Sequence, residues 1–362
     1  MEGVVNPDID FWRGRRVLVT GHTGFKGAWL TIWLARMGSE VYGFALPPES
    51  SPNLFSLAVA DRYGHSHLGD VGNLDGIWNT VEEVKPEIIL HLAAQSLVRR
   101  SYKDPVGTYQ TNVMGTVNVL EAARNVDSVK AVVVVTSDKC YENREWIWPY
   151  RETDRMGGFD PYSNSKGCAE LVVSAYRSSF FPASKSQPCR IASVRAGNVI
   201  GGGDWSEDRL VPDIVKAFQS REPVEIRHPH AIRPWQHVLE PLVGYISVAE
   251  RLVADADGGW DEAWNFGPRS ADCRPVSDVA TRLASAWGEG ATWRLSQGEH
   301  PHEATFLKVD SSKAEGRLGW RARLGLNDAL DWTADWYRRY YGGVRPDLLV
   351  VEQIESYLAI ER

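Results

Sequence analysis

The sequence predicts an α/β fold, a doubly wound parallel sheet with a smaller, interleaved C-terminal lobe. Three observations lead there. Short apolar runs alternate with longer amphipathic stretches through the first half of the chain. The apolar runs are near-continuous and rich in β-branched residues, the pattern of strands covered on both faces. A glycine-rich turn, Gly21-His22-Thr23-Gly24-Phe25-Lys26-Gly27, joins the first apolar run to the first amphipathic stretch.

Taken in order, strands are expected at Arg16–Thr20, Val41–Ala45, Gly64–Leu68 (weakly), Glu87–Leu92, Ala131–Thr136 and Ile191–Arg195. Helices are expected near 27–38, 73–84, 105–125 and 162–181. This alternation is that of a Rossmann sheet, in which right-handed crossovers bring every strand's C-terminal end to one edge. After about Gly197 the pattern changes: Gly201-Gly202-Gly203-Asp204 forms a flexible turn, followed by scattered arginines, tryptophans and prolines. A helix is expected at Val238–Val253 and a late strand at Ala263–Phe266, returning to the main sheet. The expected division is therefore 1–197 plus about 236–262 for one lobe, and 198–235 plus about 263–362 for the other. The tail from Val344 is amphipathic through Leu348, Leu349, Ile354 and Leu358, suited to core packing or to a partner helix.

Composition narrows the function classes. The 362 residues are 43% hydrophobic and 24% charged, with a net charge of -7, which describes an ordinary globular chain without the basic surface of a general nucleic-acid binder. The start, MEGVVNPDIDFW, is acidic and lacks the basic-then-apolar order of a signal peptide. No apolar run approaches bilayer length, so no membrane partner is expected. Cys140, Cys168, Cys189 and Cys273 are scattered without a CxxC pair and are read as reduced thiols in a cytoplasmic protein. His228, His230 and His237 lack metal-ligand spacing; they read as polar surface or nucleotide-packing residues, and no metal is expected.

The glycine turn follows the strand RRVLVT and opens the helix GAWLTIWLARMG. Glycines at 21, 24 and 27 permit a tight turn and close backbone approach to a pyrophosphate, and the helix N-terminus offers N–H groups and a positive dipole end. A dinucleotide is thus expected on Gly21, Thr23, Gly24, Phe25, Lys26 and Gly27. The end of the second strand, Phe44-Ala45-Leu46-Pro47-Pro48, carries neither an acid for a ribose hydroxyl nor an arginine for a 2′-phosphate, leaving NAD and NADP both open there. Asp70, beside Val71 after the third strand, can accept from an adenine amino group or can cap the following helix.

Tyr162 and Lys166 stand four residues apart in PYSNSKGCAE and so share one helical face. A nearby ammonium lowers a phenol's pKa, so the pair is expected to supply a base for a sugar hydroxyl. Pro161 suits a first helical position. Ser137 follows the strand AVVVVT at the ligand-binding edge, and its hydroxyl can reach the same oxygen or can close a turn. Asp138 and Lys139 come next, as solvated turn charges or as an acid and a base without redox duty.

Gly21, Gly24, Gly27, His91-Leu92-Ala93-Ala94-Gln95, Asn112, Ser137, Tyr162 and Lys166 resemble the extended short-chain dehydrogenase/reductase family over nearly the whole chain. That resemblance implies that the backbone at Ala93-Ala94, flanked by Leu92 and Gln95, lies along the cofactor. It implies that Asn112 helps fix the site, and that the helices bearing Asn112 and Tyr162 pair into a four-helix bundle in a homodimer or tetramer. The segments FWRGRRVLVTGHTGFKGAWL, HLAAQSLVRRSY, TSDKCYEN, PYSNSKGCAE and VRAGNVIGGGDW are similar to the sugar-nucleotide 4,6-dehydratases of that family. Ser137-Asp138-Lys139 stands where most of them carry Thr-Asp-Glu, as in the branch acting on CDP-glucose, and the C5 base stays open. The resemblance implies tightly bound NAD, regenerated each turnover, and a product feeding deoxysugar and surface polysaccharide (O-antigen, lipopolysaccharide) synthesis. A 4-epimerase, a dehydratase of another nucleotide sugar, and a non-catalytic dinucleotide sensor are the alternatives; the intact Tyr-Lys pair speaks against the sensor.

Arg195, Asn198, Arg209, Lys216 and Arg233 are candidates to grip the substrate diphosphate, since guanidinium forks suit phosphate oxygens. Each has a surface salt bridge as its plainer reading. Arg99 and Gln95 are candidates near the sugar.

Overall fold

The computed structural model of the chain describes residues 5–59, 62–181, 189–255, 258–288, 290–297 and 306–360; the reading of the chain's start rests partly on residues 1–4, which lie outside that set. In chain order the elements begin α1 (Ile9–Trp12), β1 (Arg16–Thr20), α2 (Phe25–Arg36), β2 (Glu40–Ala45), β3 (His65–Leu68), α3 (Leu74–Val84), β4 (Ile88–His91) and α4 (Val98–Lys103). Then come α5 (Pro105–Tyr109), a π-helical stretch (Gln110–Met114), α6 (Gly115–Arg124), β5 (Ala131–Val135), a 3₁₀ turn (Asp138–Cys140), α7 (Pro161–Phe180) and β6 (Arg190–Ala196). The remainder is β7 (Asn198–Ile200), α8 (Leu210–Gln219), β8 (Val224–Ile226), β9 (Ile232–His237), α9 (Leu239–Ala254), β10 (Ala263–Phe266), β11 (Cys273–Pro275), α10 (Val276–Trp287), β12 (Trp293–Leu295), α11 (Leu326–Tyr341) and α12 (Pro346–Leu358).

Seven strands form one sheet in the order β10-β6-β5-β4-β1-β2-β3, each neighbour parallel to the next. The expected strands are all present, with ends shifted by a residue or two. β5 and β6 are buried throughout; β5, AVVVV, accordingly reads as a continuous apolar run rather than an alternating one, whereas β6 also buries Arg190, Ser193 and Arg195. One face packs on α2, α9 and the C-terminal helices through Trp29, Trp33, Leu242 and Ile246; the other packs on α3, α6 and α7 through Val81, Val119, Leu120 and Val173. The helix expected over 105–125 runs without a break but changes pitch at Gln110–Met114, a shift often found at functional sites.

The later segments build two small sheets: β7 pairs parallel with β9, β9 antiparallel with β11, and β8 parallel with β12. Helices α8, α10 and α11 lie where the sequence reading placed no helix. In the tail, Leu349 and Ile354 are buried and α12 packs on α2 through the edge-on rings of Trp33 and Tyr357, whereas Leu348 is exposed and takes no part in the core. Among the described residues no helix is long and apolar enough to cross a membrane.

The Gly202 turn after β7 is held between two tryptophans. Its carbonyl accepts from Trp29 Nε1 at 2.9 Å, and a Cβ on it would lie 2.0 Å from the Trp336 ring. Gly202→Ala is expected to destabilise the chain by about 1–3 kcal/mol through overpacking, read as a lowered urea midpoint; an unchanged midpoint would show that the tryptophan moves freely.

Candidate active site

The glycine turn is built by contact rather than by flexibility alone. Gly21 has φ +75°, a region open to glycine, and a Cβ on it would stand 2.6 Å from the Ala93 nitrogen. A Cβ on Gly27 would stand 2.1 Å from the Gly21 carbonyl oxygen. The two glycines thus let the end of β1, the start of α2 and the end of β4 touch. Gly24 caps α2 with no side-chain hydrogen bond, so the helix's first N–H groups remain open to an anionic group. Thr23 does not reach into that space; its hydroxyl donates to Leu46 O at 2.9 Å. These features fit a bound pyrophosphate. Asp70 is exposed and its Oδ1 accepts from Gly72 N at 2.8 Å. The N-cap of α3 is Asn73, which corrects the capping alternative for Asp70. The neighbouring Val71 is buried against Gly115, and its carbonyl accepts from Asn118.

The end of β5 and the start of α7 face one another. Asp160 caps α7 by accepting from Ser163 N at 2.9 Å, and Pro161 opens it. Tyr162 and Lys166 then lie one turn apart, both buried. The Ser137 hydroxyl lies within reach of the Tyr162 phenol, and Lys166 Nζ donates to Val135 O at 3.3 Å. Ser137 Oγ donates to Asp138 Oδ1 at 3.0 Å and accepts from Lys139 N at 3.2 Å. Asp138 is 2% exposed, and its Oδ2 has no hydrogen-bond partner.

Burial dominates the titration of these groups. It pushes Tyr162 up to about 12, against the pull of Ser137. The expectation that Lys166 draws the phenol down toward working pH is therefore corrected: the ammonium donates to the Val135 carbonyl, and burial leaves the phenol raised. Lys166 itself is lowered to about 8 by burial, opposed by Glu170. Lys26 is lowered to about 7 by burial and by the Arg209 and Lys166 charges, opposed by Asp138 and Asp204. Asp138 is raised by burial, against the Lys139 charge, the Ser137 bond, Arg233 and Lys26. Five of the expected residues, Lys26, Asp138, Lys166, Arg209 and Arg233, thus sense one another across one cleft.

Asn112, in the π-helical stretch, clips three pieces together. Its Oδ1 accepts from Gln95 N at 2.9 Å, and its Nδ2 donates to Gln95 O and to Ser165 Oγ, both at 2.9 Å. The segment after β4, with Leu92, Ala93 and Ala94, is thereby tied to α7. Thr20 Oγ1 accepts from Ala93 N at 3.2 Å. The Gln95 side chain is engaged locally, with Thr108 Oγ1 and Leu97 N.

The proposed anion residues divide. Arg209 bonds Ser96 Oγ at 2.8 Å and pairs with Asp204 at 3.4 Å, while Arg99 pairs with Asp208 at 2.9 Å, so both link the segment after β4 to the loop before α8. Arg233 is buried on β9, and Asn198 opens β7 beside it. Lys216 is exposed on α8, one turn past Asp213. Arg195 does not belong to a grip. It is 3% exposed, and its Nε, NH1 and NH2 are all engaged with Glu170, Tyr141 and the Glu152 carbonyl; a buried arginine so matched has no fork to offer a phosphate. His237 is likewise corrected from surface to core, fully buried between the Trp29 and Trp332 rings. The sequence reading missed Glu170, Tyr141 and Asn265. Glu170 carried a signal, since it continues the Tyr162–Lys166 spacing by one more turn.

Comparison with known proteins agrees with this geometry. The family profile described as GDP-mannose 4,6 dehydratase matches residues 18–255. A CDP-glucose 4,6-dehydratase of Salmonella typhimurium is 52% identical over 97% of this chain and 98% of its own. Among solved structures, a UDP-glucose 4-epimerase of Thermotoga maritima superposes with TM-score 0.77 at 21% identity, over 90% of this chain and 99% of its own. A dTDP-glucose 4,6-dehydratase of Streptomyces venezuelae does so with TM-score 0.76 at 23% identity, over 91% and 99%; at such identities the two attest the fold. On the profile match and the 52% relative, this chain belongs to the GDP-mannose 4,6 dehydratase family.

Proposed function

We propose that the chain is a 4,6-dehydratase that converts CDP-glucose to CDP-4-keto-6-deoxyglucose and water, with NAD as its resident cofactor. The observation that carries this reading is Asp138: a buried carboxyl with an unpartnered oxygen, raised in pKa, on the turn directly after Ser137. An epimerase has no need of a second acid there. The substrate is taken from the 52% relative, whose name specifies CDP-glucose.

The cradle of Gly21, Gly24 and Gly27, the open N-terminus of α2 and the backbone at Ala93-Ala94 would hold the dinucleotide, with Asp70 toward its adenine end. Bound there, NAD would supply a hydride acceptor at the sugar's C4, a hydride donor at C6, and a positive charge beside Tyr162. Tyr162 takes the 4-hydroxyl proton, with Ser137 holding the same oxygen. The resulting ketone acidifies the C5 hydrogen, which Lys139 removes or whose enolate it stabilises. Asp138, whose carboxyl burial raises in pKa, gives its proton to the departing 6-hydroxyl, so water leaves rather than hydroxide. A proton returned to C5 completes the balance. Arg99 and Arg209 would meet the diphosphate once their acidic partners Asp208 and Asp204 yield, and Arg233, buried on β9, would join them. Arg233→Ala is expected to raise KM for the nucleotide sugar by roughly 10-fold or more, as for loss of a charge-assisted bond; an unchanged KM would place Arg233 outside the site.

The direct test is product formation. Incubated with NAD and CDP-, UDP-, GDP- and dTDP-glucose, the protein is expected to yield a 4-keto-6-deoxy sugar far faster from the CDP compound, and Tyr162→Phe to lower kcat at least roughly 100-fold. Equal kcat/KM for dTDP-glucose would remove the base assignment, and a C4 epimer as sole product would restore the epimerase reading.

The titration of Lys166 sets a pH limit. Its charge favours the phenolate and is lost as pH rises through about 8, so kcat/KM is expected to fall on the alkaline side above about pH 8. A profile that climbs steadily to pH 10 would show that this charge does not assist Tyr162.

We propose a cytoplasmic setting, in keeping with the scattered cysteines, and a place in deoxysugar synthesis for O-antigen or lipopolysaccharide. We also propose that 198–235 and about 263–362 act as the substrate lobe, and that the chain forms a homodimer or tetramer through α5, α6 and α7. The support for pairing is apolar exposure at Val106 on α5 (78%), Met114 in the π-helical stretch between α5 and α6 (43%) and Leu171 on α7 (60%). Val106→Lys with Leu171→Lys is expected to reduce the sedimenting mass to that of one chain; retention of the wild-type mass would move the interface elsewhere.

A further inference from the structure

The acid-bearing turn Asp138–Cys140 has no helix or strand of its own to hold it; it is three residues of 3₁₀ conformation between β5 and a long loop. Its two flanks are fastened to one buried ion pair. On the near side, Thr136 Oγ1 donates to Glu170 Oε1 at 2.5 Å. On the far side, Tyr141 OH accepts from Arg195 NH1 at 2.7 Å and donates to Asn265 Oδ1 at 2.7 Å. Glu170 and Arg195 hold each other in a two-bond fork, at 2.8 and 2.7 Å, and Ser193 Oγ donates to Glu170 Oε2 at 2.7 Å. Asn265 is itself pinned: its Nδ2 donates to Tyr150 O and Asp310 O, and its N–H donates to Glu152 Oε1. The Tyr141 ring stacks on Tyr150 at 5.2 Å.

We propose that Tyr141, anchored by the buried Arg195–Glu170 pair, is a positioning residue that sets the place of Asp138 and Lys139 for the dehydration half of the reaction. The proposal rests on the dehydratase reading above. Tyr141, Arg195 and Glu170 spend their polar atoms on one another and on Thr136, Ser193 and Asn265, so they act through the turn rather than on the sugar. The oxidation half depends on Tyr162 and Lys166, which α7 holds by its own backbone. The dehydration half depends on a short turn that has few hydrogen bonds of its own, among them Gly157 N to Cys140 O at 2.8 Å and Cys140 N to Ser137 O at 3.2 Å, and whose flanks the buried pair fastens. Loosening the far flank therefore shifts Asp138 and Lys139 while leaving Tyr162 where it is.

Tyr141→Phe removes both hydroxyl bonds and keeps the stacked ring. Arg195→Lys keeps the charge opposite Glu170 but loses the fork that reaches Tyr141. In both variants kcat for the 4-keto-6-deoxy product is expected to fall roughly 10- to 100-fold, the scale of a misplacement near 1 Å, with KM within about twofold. CDP-4-ketoglucose is expected to accumulate, trapped by borodeuteride after acid quench as sugar labelled at C4. Equal loss of oxidation and dehydration, or wild-type turnover in both variants, would overturn the proposal. A second measurement stands apart from substrate chemistry. Cys140, fully buried in the same turn, is expected to be alkylated faster in Tyr141→Phe than in wild type, read by peptide mass spectrometry. Protection of Cys140 in both variants would overturn the proposal even if CDP-glucose proves not to be the substrate, whereas a wild type that makes no 4-keto-6-deoxy product, with Cys140 exposed in the variants, would sink only the substrate reading and leave the anchoring established.

Discussion

One carboxylate deep in the molecule orders the site. Glu170 accepts four hydrogen bonds, from Thr136, Ser193 and two nitrogens of Arg195, and together they outweigh burial, so its carboxyl stays below its usual range. It stands two turns after Tyr162 on the same helix. The face that carries Tyr162, Lys166 and Glu170 therefore meets the end of β5 at Ser137, Val135 and Thr136 in turn. A slip of α7 along the sheet would break all three contacts together. A buried charge is costly when a partner is lost, which makes this register a sharp one.

Around that register the cleft is a place where desolvation outweighs charge. The phenol, the Lys166 and Lys26 ammonium groups and the Asp138 carboxyl are all moved toward their neutral forms. With these groups shifted that way, the charge state of the site is set by what enters it. A polyanionic nucleotide would restore charge to the lysines, and the positive charge of bound NAD would favour the phenolate. The same dryness that holds Asp138 ready as an acid thus leaves the base waiting for its partner.

The parallel sheet was legible because buried strands write themselves as runs such as AVVVV and because Gly21, Gly24 and Gly27 punctuate the first turn in a spacing that only close contact requires. The Tyr162–Lys166 pair was legible by helical spacing. Arg195 was misread because a sequence displays a charge and conceals its partner: Glu170 is 25 residues away and Tyr141 is 54. The Tyr162 titration was misread for a related reason, since a neighbouring lysine is visible in the sequence and desolvation is not. His237 looked polar, yet two tryptophans from distant helices enclose it. Helix α8 was hidden by Pro212 near its start, and α10 and α11 by lying in a stretch read as scattered arginines, tryptophans and prolines.

The Asn112 clip has a bearing on how such chains diversify. It ties the β4 end to α7 at Gln95 and Ser165 without touching the 137–140 turn. The parts that seat a dinucleotide and take the first proton are thereby braced independently of the parts that follow. Descendants of one ancestral chain can exchange two or three side chains on that turn, redirecting the fate of a keto sugar, while inheriting the hydride-handling half intact. Chains named for epimerisation and for dehydration share this fold.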